Sequence, residues 1–122
     1  ATARAGDPES VCNAIEQFGE EVLGSSGLFL KVAGGSKAKV LSAAVSRAPL
    51  YGCILEIGTY CGYSAIRMGM ACPGVCIVSI EVDPAHMAIA RNMLAYAGFA
   101  HVVDVWTGQS KTTREHYKTT GY

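Results

Sequence analysis

Apolar residues recur at helical spacing early in the chain, where Val11, Ala14, Ile15, Phe18 and Val22 fall on one stripe. Asp7, Pro8 and Glu9 precede them as a side-chain cap, a preset φ and a negative charge at the positive end of the helix dipole. They predict a first helix running to about Leu23. GSSG (24–27) and AGGS (33–36) punctuate a glycine-rich stretch around LFLKV. Ser36 is then placed to cap a second helix with Val40, Leu41, Ala44 and Val45 on one face, and Pro49 to end it. From Tyr51 to Ile57 the run is apolar almost throughout, the pattern of a strand covered on both faces, and it stops at Gly58. A helix over about 62–70, a break at CPG (72–74) and a second apolar run, VCIVSIEV (75–82), follow. Asp83 and Pro84 open the helix HMAIARNMLAYA, and Gly98 supplies its left-handed stop. HVVDVW (101–106) gives a third, shorter strand.

Strand, helix, strand, helix, strand with short connections predicts an α/β fold with a parallel sheet, strand order 3-2-1 and helices on both faces. Ligands of such sheets lie beyond the carboxyl ends of the strands, which is where LEIGTYCGYS (55–64) sits. A turn that leaves a strand and opens a helix presents unpaired N–H groups, and Gly58 and Gly62 let its backbone approach a ligand closely. The dinucleotide fingerprint G-x-G-x-x-G is not met, because Tyr60 stands where the second glycine belongs, so NAD is disfavoured. Glu81 ends the second strand, 23 residues after Gly58, where an acidic residue accepts the ribose hydroxyls of an adenosine-type cofactor. The plain alternative is that the glycines only make a tight turn and that Glu81 only begins the cap of the next helix.

Composition narrows the field. Ten basic and ten acidic residues leave no net charge to attract nucleic acid or an anionic membrane, and the apolar runs are far too short to span a bilayer. At 122 residues the chain is one small domain, expected to be soluble. Its five cysteines (Cys12, Cys53, Cys61, Cys72 and Cys76) include no CxxC pair and no zinc spacing, and read as reduced thiols acting as small hydrophobes in a reducing compartment.

LEIGTYCGYSAIRM, IEVDPAHMAIARNMLAYAGF and the upstream VCNAIEQFGEE and SKAKVLSAAV resemble the N-terminal half of catechol O-methyltransferases, over about residues 10–110. These belong to the class I methyltransferases that use S-adenosylmethionine (SAM). The resemblance implies a truncated Rossmann-like methyltransferase fold, with residues 1–106 forming a SAM-binding half and residues 107–122 a polar tail. It implies that Glu56, Gly58, Tyr60 and Ser64 line the methionine end of the cofactor. Glu81 would hold the ribose diol, Ser110 would sit by the adenine, and Val32 would belong to an upstream segment that closes over the cofactor.

In that family a magnesium ion positions and acidifies a catechol hydroxyl beside a lysine base, and the metal ligands and lysine lie beyond the third strand. They are expected to be absent here, since the sequence stops at Tyr122 before a fourth strand. Asp83, Asp104, His86, His101 and His116 are scattered and read as solvated or capping groups. QSKTTREHYKTTGY lacks the family's apolar stripe after Gly108, and Lys111 replaces the glutamine expected beside Ser110. The first strand is expected to present an open edge, covered by a missing half, a second copy or a larger assembly, which also holds the polar tail in place. Two functions follow as expectations: the SAM-binding half of a catechol-type O-methyltransferase, inactive alone, or a catalytically inactive methyltransferase-derived subunit of a multiprotein complex.

Overall fold

In the computed structural model, which describes residues 2–28 and 30–112, three strands form one parallel sheet. The strands β1 (Cys53–Ile57), β2 (Cys76–Glu81) and β3 (Val103–Thr107) lie in the order β1-β2-β3, as the crossover rule predicted. Cys53 pairs with Cys76 and Ile57 with Ile80, while Ile77 pairs with Val103 and Glu81 with Thr107. Residues whose side chains share one face are therefore known strand by strand.

Helices α1 (Pro8–Phe18), α2 (Ser36–Val45), α3 (Tyr63–Ala71) and α4 (Pro84–Ala97) complete the fold; α3 and α4 pack on the sheet, while α1 and α2 pack on α3. Val11, Cys12 and Ile15 of α1, Tyr63, Ile66 and Met68 of α3, and Leu94 and Ala97 of α4 form one core with Ile77, Val103 and Val105. These helices gather over the sheet face that also carries Ile54. The opposite face carries Cys53, Leu55 and Ile57 of β1, of which Leu55 is 50% and Ile57 62% exposed.

The capping signals at α1 and α4 act as their chemistry requires. Asp7 accepts from the Ser10 N–H, and Asp83 accepts from the Ala85 N–H at 2.8 Å, while Gly98 ends α4 at φ +87°. A half-buried bridge locks α1 to α3: Arg67 donates to Glu16 at 2.8 Å and to the Tyr63 hydroxyl at 3.0 Å, and that hydroxyl donates to Glu16.

Several expectations are corrected. The first helix changes to a π-helical turn over Gly19–Leu23, which takes Val22 off the α-helical stripe, and both Phe18 at the end of α1 and Val22 are about half exposed. Gly35 at φ +58°, not Ser36, caps α2 without a side-chain bond; Ala38 is its buried residue and Val40 is 71% exposed. That helix ends at Val45, well before Pro49. The first strand begins only at Cys53, because Tyr51 is at φ +65° in a turn closed by the Gly52 N–H on the Pro49 carbonyl. It is not covered on both faces, since its residues alternate between exposed and half-buried. The third strand is shifted toward Thr107. Most of the polar tail, including His116, lies outside the described residues.

Candidate functional site

The carboxyl ends of all three strands open into a cleft of about 420 Å³, lined by Ile57, Gly58, Ile80, Glu81, Val82 and residues 108–111. The turn after β1 builds one wall. Gly58 (φ +90°), Tyr60 (φ +52°) and Gly62 (φ +86°) all take left-handed backbone within five residues. For glycine this costs little, whereas for tyrosine it stores about 1 kcal/mol of strain. The strained residue makes a defined bond: its N–H donates to Glu81 Oε2 at 2.8 Å. A Cβ at Gly58 would meet nothing within 4 Å, so the backbone there faces open space.

Glu81 is 7% exposed. Its other oxygen accepts the N–H groups of Val82 and Asp83 at 2.9 and 3.0 Å. Burial alone would push this carboxyl up, but the N–H groups of Asp83, Tyr60 and Val82, with His86 nearby, hold its pKa below the ordinary glutamate value. Glu81 therefore stands as a fixed anion in the cleft wall. Three N–H donors leave unused lone-pair capacity on the carboxylate, mainly on Oε2.

Glu56 lies in the opposite regime. Burial pushes its carboxyl up to about 7, the Glu81 charge adds to the shift, and a hydrogen bond from the Ser79 hydroxyl opposes it. Ser79 is fully buried and also meets the Thr59 hydroxyl at 2.6 Å, so Thr59, Ser79 and Glu56 form one polar chain beneath the turn. Neither Thr59 nor Ser79 was singled out from the sequence. The register that pairs Glu56 with Ser79 is the signal that identifies the latter, and it becomes readable once the parallel pairing is assigned.

The structure brings Gly58, Glu81 and Ser110 together in the cleft, whereas Glu56 does not line it and lies beneath the turn, paired with Ser79. Tyr60 contributes its N–H, while its ring stacks edge-on against His86 with centroids 5.0 Å apart and faces a separate apolar cavity of about 730 Å³ between α1 and α4. Ser64 is half-buried in the first turn of α3, and Val32 packs against the core cluster; neither is among the residues lining the cleft. Lys111 does line it. Among the described residues no group of three or more His, Cys, Asp or Glu side chains could hold a metal, and no helix is long and apolar enough to cross a membrane.

Known proteins share both sequence and fold with this chain. It is 34% identical over 110 residues to catechol O-methyltransferase of Mus musculus, a match covering 89% of this chain and 39% of that enzyme. It is 36% identical to the enzyme of that name from Bos taurus, covering 89% of this chain and 38% of that one. The chain thus spans about two fifths of the length of these relatives. Its fold matches the O-methyltransferase of Bacillus cereus in complex with SAH at a TM-score of 0.73 and 25% identity, over 93% of this chain and 50% of that one. It also matches the O-methyltransferase TomG of Streptomyces achromogenes, in complex with SAM, at a TM-score of 0.72 and 25% identity, over 92% and 48% of the two chains. The sequence pattern of the O-methyltransferase family extends over residues 37–121. With the parallel sheet, the glycine turn and the acidic end of β2 all in place, this chain belongs to the O-methyltransferase family.

Proposed function

We propose that this chain binds SAM in the cleft at the strand ends and serves as the cofactor-holding part of a catechol-type O-methyltransferase fold. The observation that carries this reading is the placement of Glu81, a buried carboxylate at the end of β2 whose pKa is held below the ordinary glutamate value, in the cleft that Gly58 and Ser110 also line. Bound there, SAM would supply a methyl group activated on a positively charged sulfur. The residues of this chain would bind and orient it. Glu81 would accept the ribose hydroxyls, Ser110 would border the adenine, and Gly58 and the strained Tyr60 backbone would admit the chain of the cofactor. Glu56 and Ser64 would face its methionine end, and Val32 would close over it. Two relatives named as catechol O-methyltransferases support a catechol-type acceptor for the whole fold.

Among the described residues no group of three or more His, Cys, Asp or Glu side chains comes together, and no step here is routed through a metal. A second reading, a methyltransferase-derived subunit docked in a larger assembly, is favoured by one observation, the exposed Leu55 and Ile57 on the edge strand β1.

Calorimetric titration with SAM separates the two. The expected result is saturable binding to the wild type, and a loss of tenfold or more in Glu81→Ala, since a hydrogen bond to a charged group is worth about 1.5–3 kcal/mol. Unchanged affinity in the variant removes Glu81 from the site. No binding by the wild type overturns the cofactor reading and leaves the docked subunit.

A further inference from the structure

Cys53 and Cys76 are the first residues of β1 and β2, and they are direct partners in the parallel register. Both are exposed, on the sheet face away from α1, α3 and α4, and their sulfurs are 3.1 Å apart. This corrects the expectation that all five thiols act as small hydrophobes; that description holds for the buried Cys12 and Cys72. From this geometry we infer that Cys53 and Cys76 form a reversible dithiol–disulfide site, oxidised by a small-molecule disulfide of the glutathione class.

Adjacent strands run about 4.7–4.9 Å apart, inside the Cα separation of about 4.4–6.8 Å that a disulfide requires. The sulfurs need to close by about 1 Å to reach bonding distance. Rotation of the two side chains about their Cα–Cβ bonds can supply that movement, and the left-handed Gly74, with open space around it, lies two residues before Cys76. The pair also stands at the amino ends of the strands, opposite the cleft, so oxidation leaves the candidate cofactor site open.

The reaction balances within the pair and its oxidant. The two sulfurs share one hydrogen bond at 3.1 Å, and partial burial together with that bond pushes the Cys53 thiol up to about 11, so the opening attack is assigned to the other sulfur of the pair. The Cys76 thiolate attacks one sulfur of the oxidant, breaks its S–S bond and releases a first small thiol, which takes up the proton that Cys76 lost. Cys53 then gives up its proton and attacks the Cys76 sulfur of the mixed disulfide, releasing the second small thiol. One disulfide is consumed and one is formed; the small molecule is reduced by two electrons and the protein is oxidised by two. The new bond ties β1 to β2 and encloses the glycine turn and α3 in a covalent loop.

The test exposes the whole chain to glutathione buffers of increasing oxidised fraction, traps free thiols by acid and alkylation, and reads unreduced peptides by mass spectrometry. The expected product is a peptide pair linked through Cys53 and Cys76, two hydrogens lighter than the two thiols and lost again when the buffer is made reducing. In Cys53→Ser, a glutathione adduct is expected to accumulate on Cys76. Three outcomes overturn the inference: both cysteines remaining free in fully oxidised buffer, both carrying separate adducts, or links that involve the buried Cys12 or Cys72 as often as Cys53.

Discussion

Glu56 makes the fold sensitive to pH in a window where most carboxylates are silent. Its folded pKa, pushed up to about 7 chiefly by burial, lies well above the unfolded value of 4.5. A raised acid favours the protonated folded state, so the contribution is least unfavourable below pH 4.5 and the full cost is reached above about pH 7. The full cost is about 3 kcal/mol at roughly 1.4 kcal/mol per pKa unit, and the part that develops between pH 5.5 and pH 8 is about 2 kcal/mol. Asp7, Glu16 and Glu81, whose folded pKa values are all lowered, are ionised in both states throughout that window and contribute little slope. Urea unfolding at the two pH values is the assay. With a denaturant slope of about 1.5 kcal/mol per molar, the midpoint is expected about 1 M higher at pH 5.5 than at pH 8. Glu56→Gln keeps the size and the acceptor for Ser79 while removing the charge, and should raise the midpoint at pH 8 and flatten the profile. A wild-type midpoint that stays level or rises with pH, or an equal slope in Glu56→Gln, refutes the reasoning.

The remaining predictions use the same network and turn. Ser79→Ala removes the hydroxyl that holds Glu56 down and orphans Thr59, so unfolding measurements should show a loss of about 1–3 kcal/mol at pH 8 and a smaller loss at pH 5.5. Gly62→Ala forces a Cβ onto backbone at φ +86° with the Ala90 carbonyl oxygen 3.4 Å away, and should cost about 1–2 kcal/mol in the same assay. If a cationic cofactor group binds beside Glu56, it favours the carboxylate. SAM affinity measured by calorimetry should then rise as pH increases through about 7 and lose that dependence in Glu56→Gln.

Much of this was legible in the sequence where one residue type carries one physical job. Asp83, Pro84 and Gly98 bound α4 because a carboxylate cap, a fixed φ and a left-handed stop admit few other placements. The apolar runs gave the strands, and their order followed from the handedness of crossovers. The errors arose where tertiary contacts decide. The π turn at Gly19–Leu23 redirects Val22 without any residue that announces it. Gly35 opens α2 through a backbone conformation rather than a side chain, so the neighbouring serine looked like the cap. In the candidate site, the placement of Gly58 and Glu81 at the strand ends was readable from spacing, but the buried pair Ser79 and Thr59 was not. Their role exists only when β1 and β2 pair in register.

That pairing explains how one short sheet carries two carboxylates with different behaviour. Glu56 and Glu81 stand at the ends of neighbouring strands, each near enough to affect the other, yet their environments separate them. Three backbone N–H groups converge on Glu81 because Tyr60 accepts a strained φ and because the chain turns sharply into α4 after Val82. Glu56 receives a single hydroxyl and the repulsion of its neighbour. An anion whose pKa is held down by backbone N–H groups suits neutral hydroxyl donors, which need an acceptor near neutral pH. A carboxyl poised near neutrality suits a positive group, because the cation's arrival completes the ionisation that burial resists. In the proposed complex the ribose end and the charged methionine end of SAM would present those two demands in that order along the cleft. The strain at Tyr60 thus has a physical role in the site: releasing it by Tyr60→Gly would ease the turn but also free the N–H that helps keep Glu81 ionised.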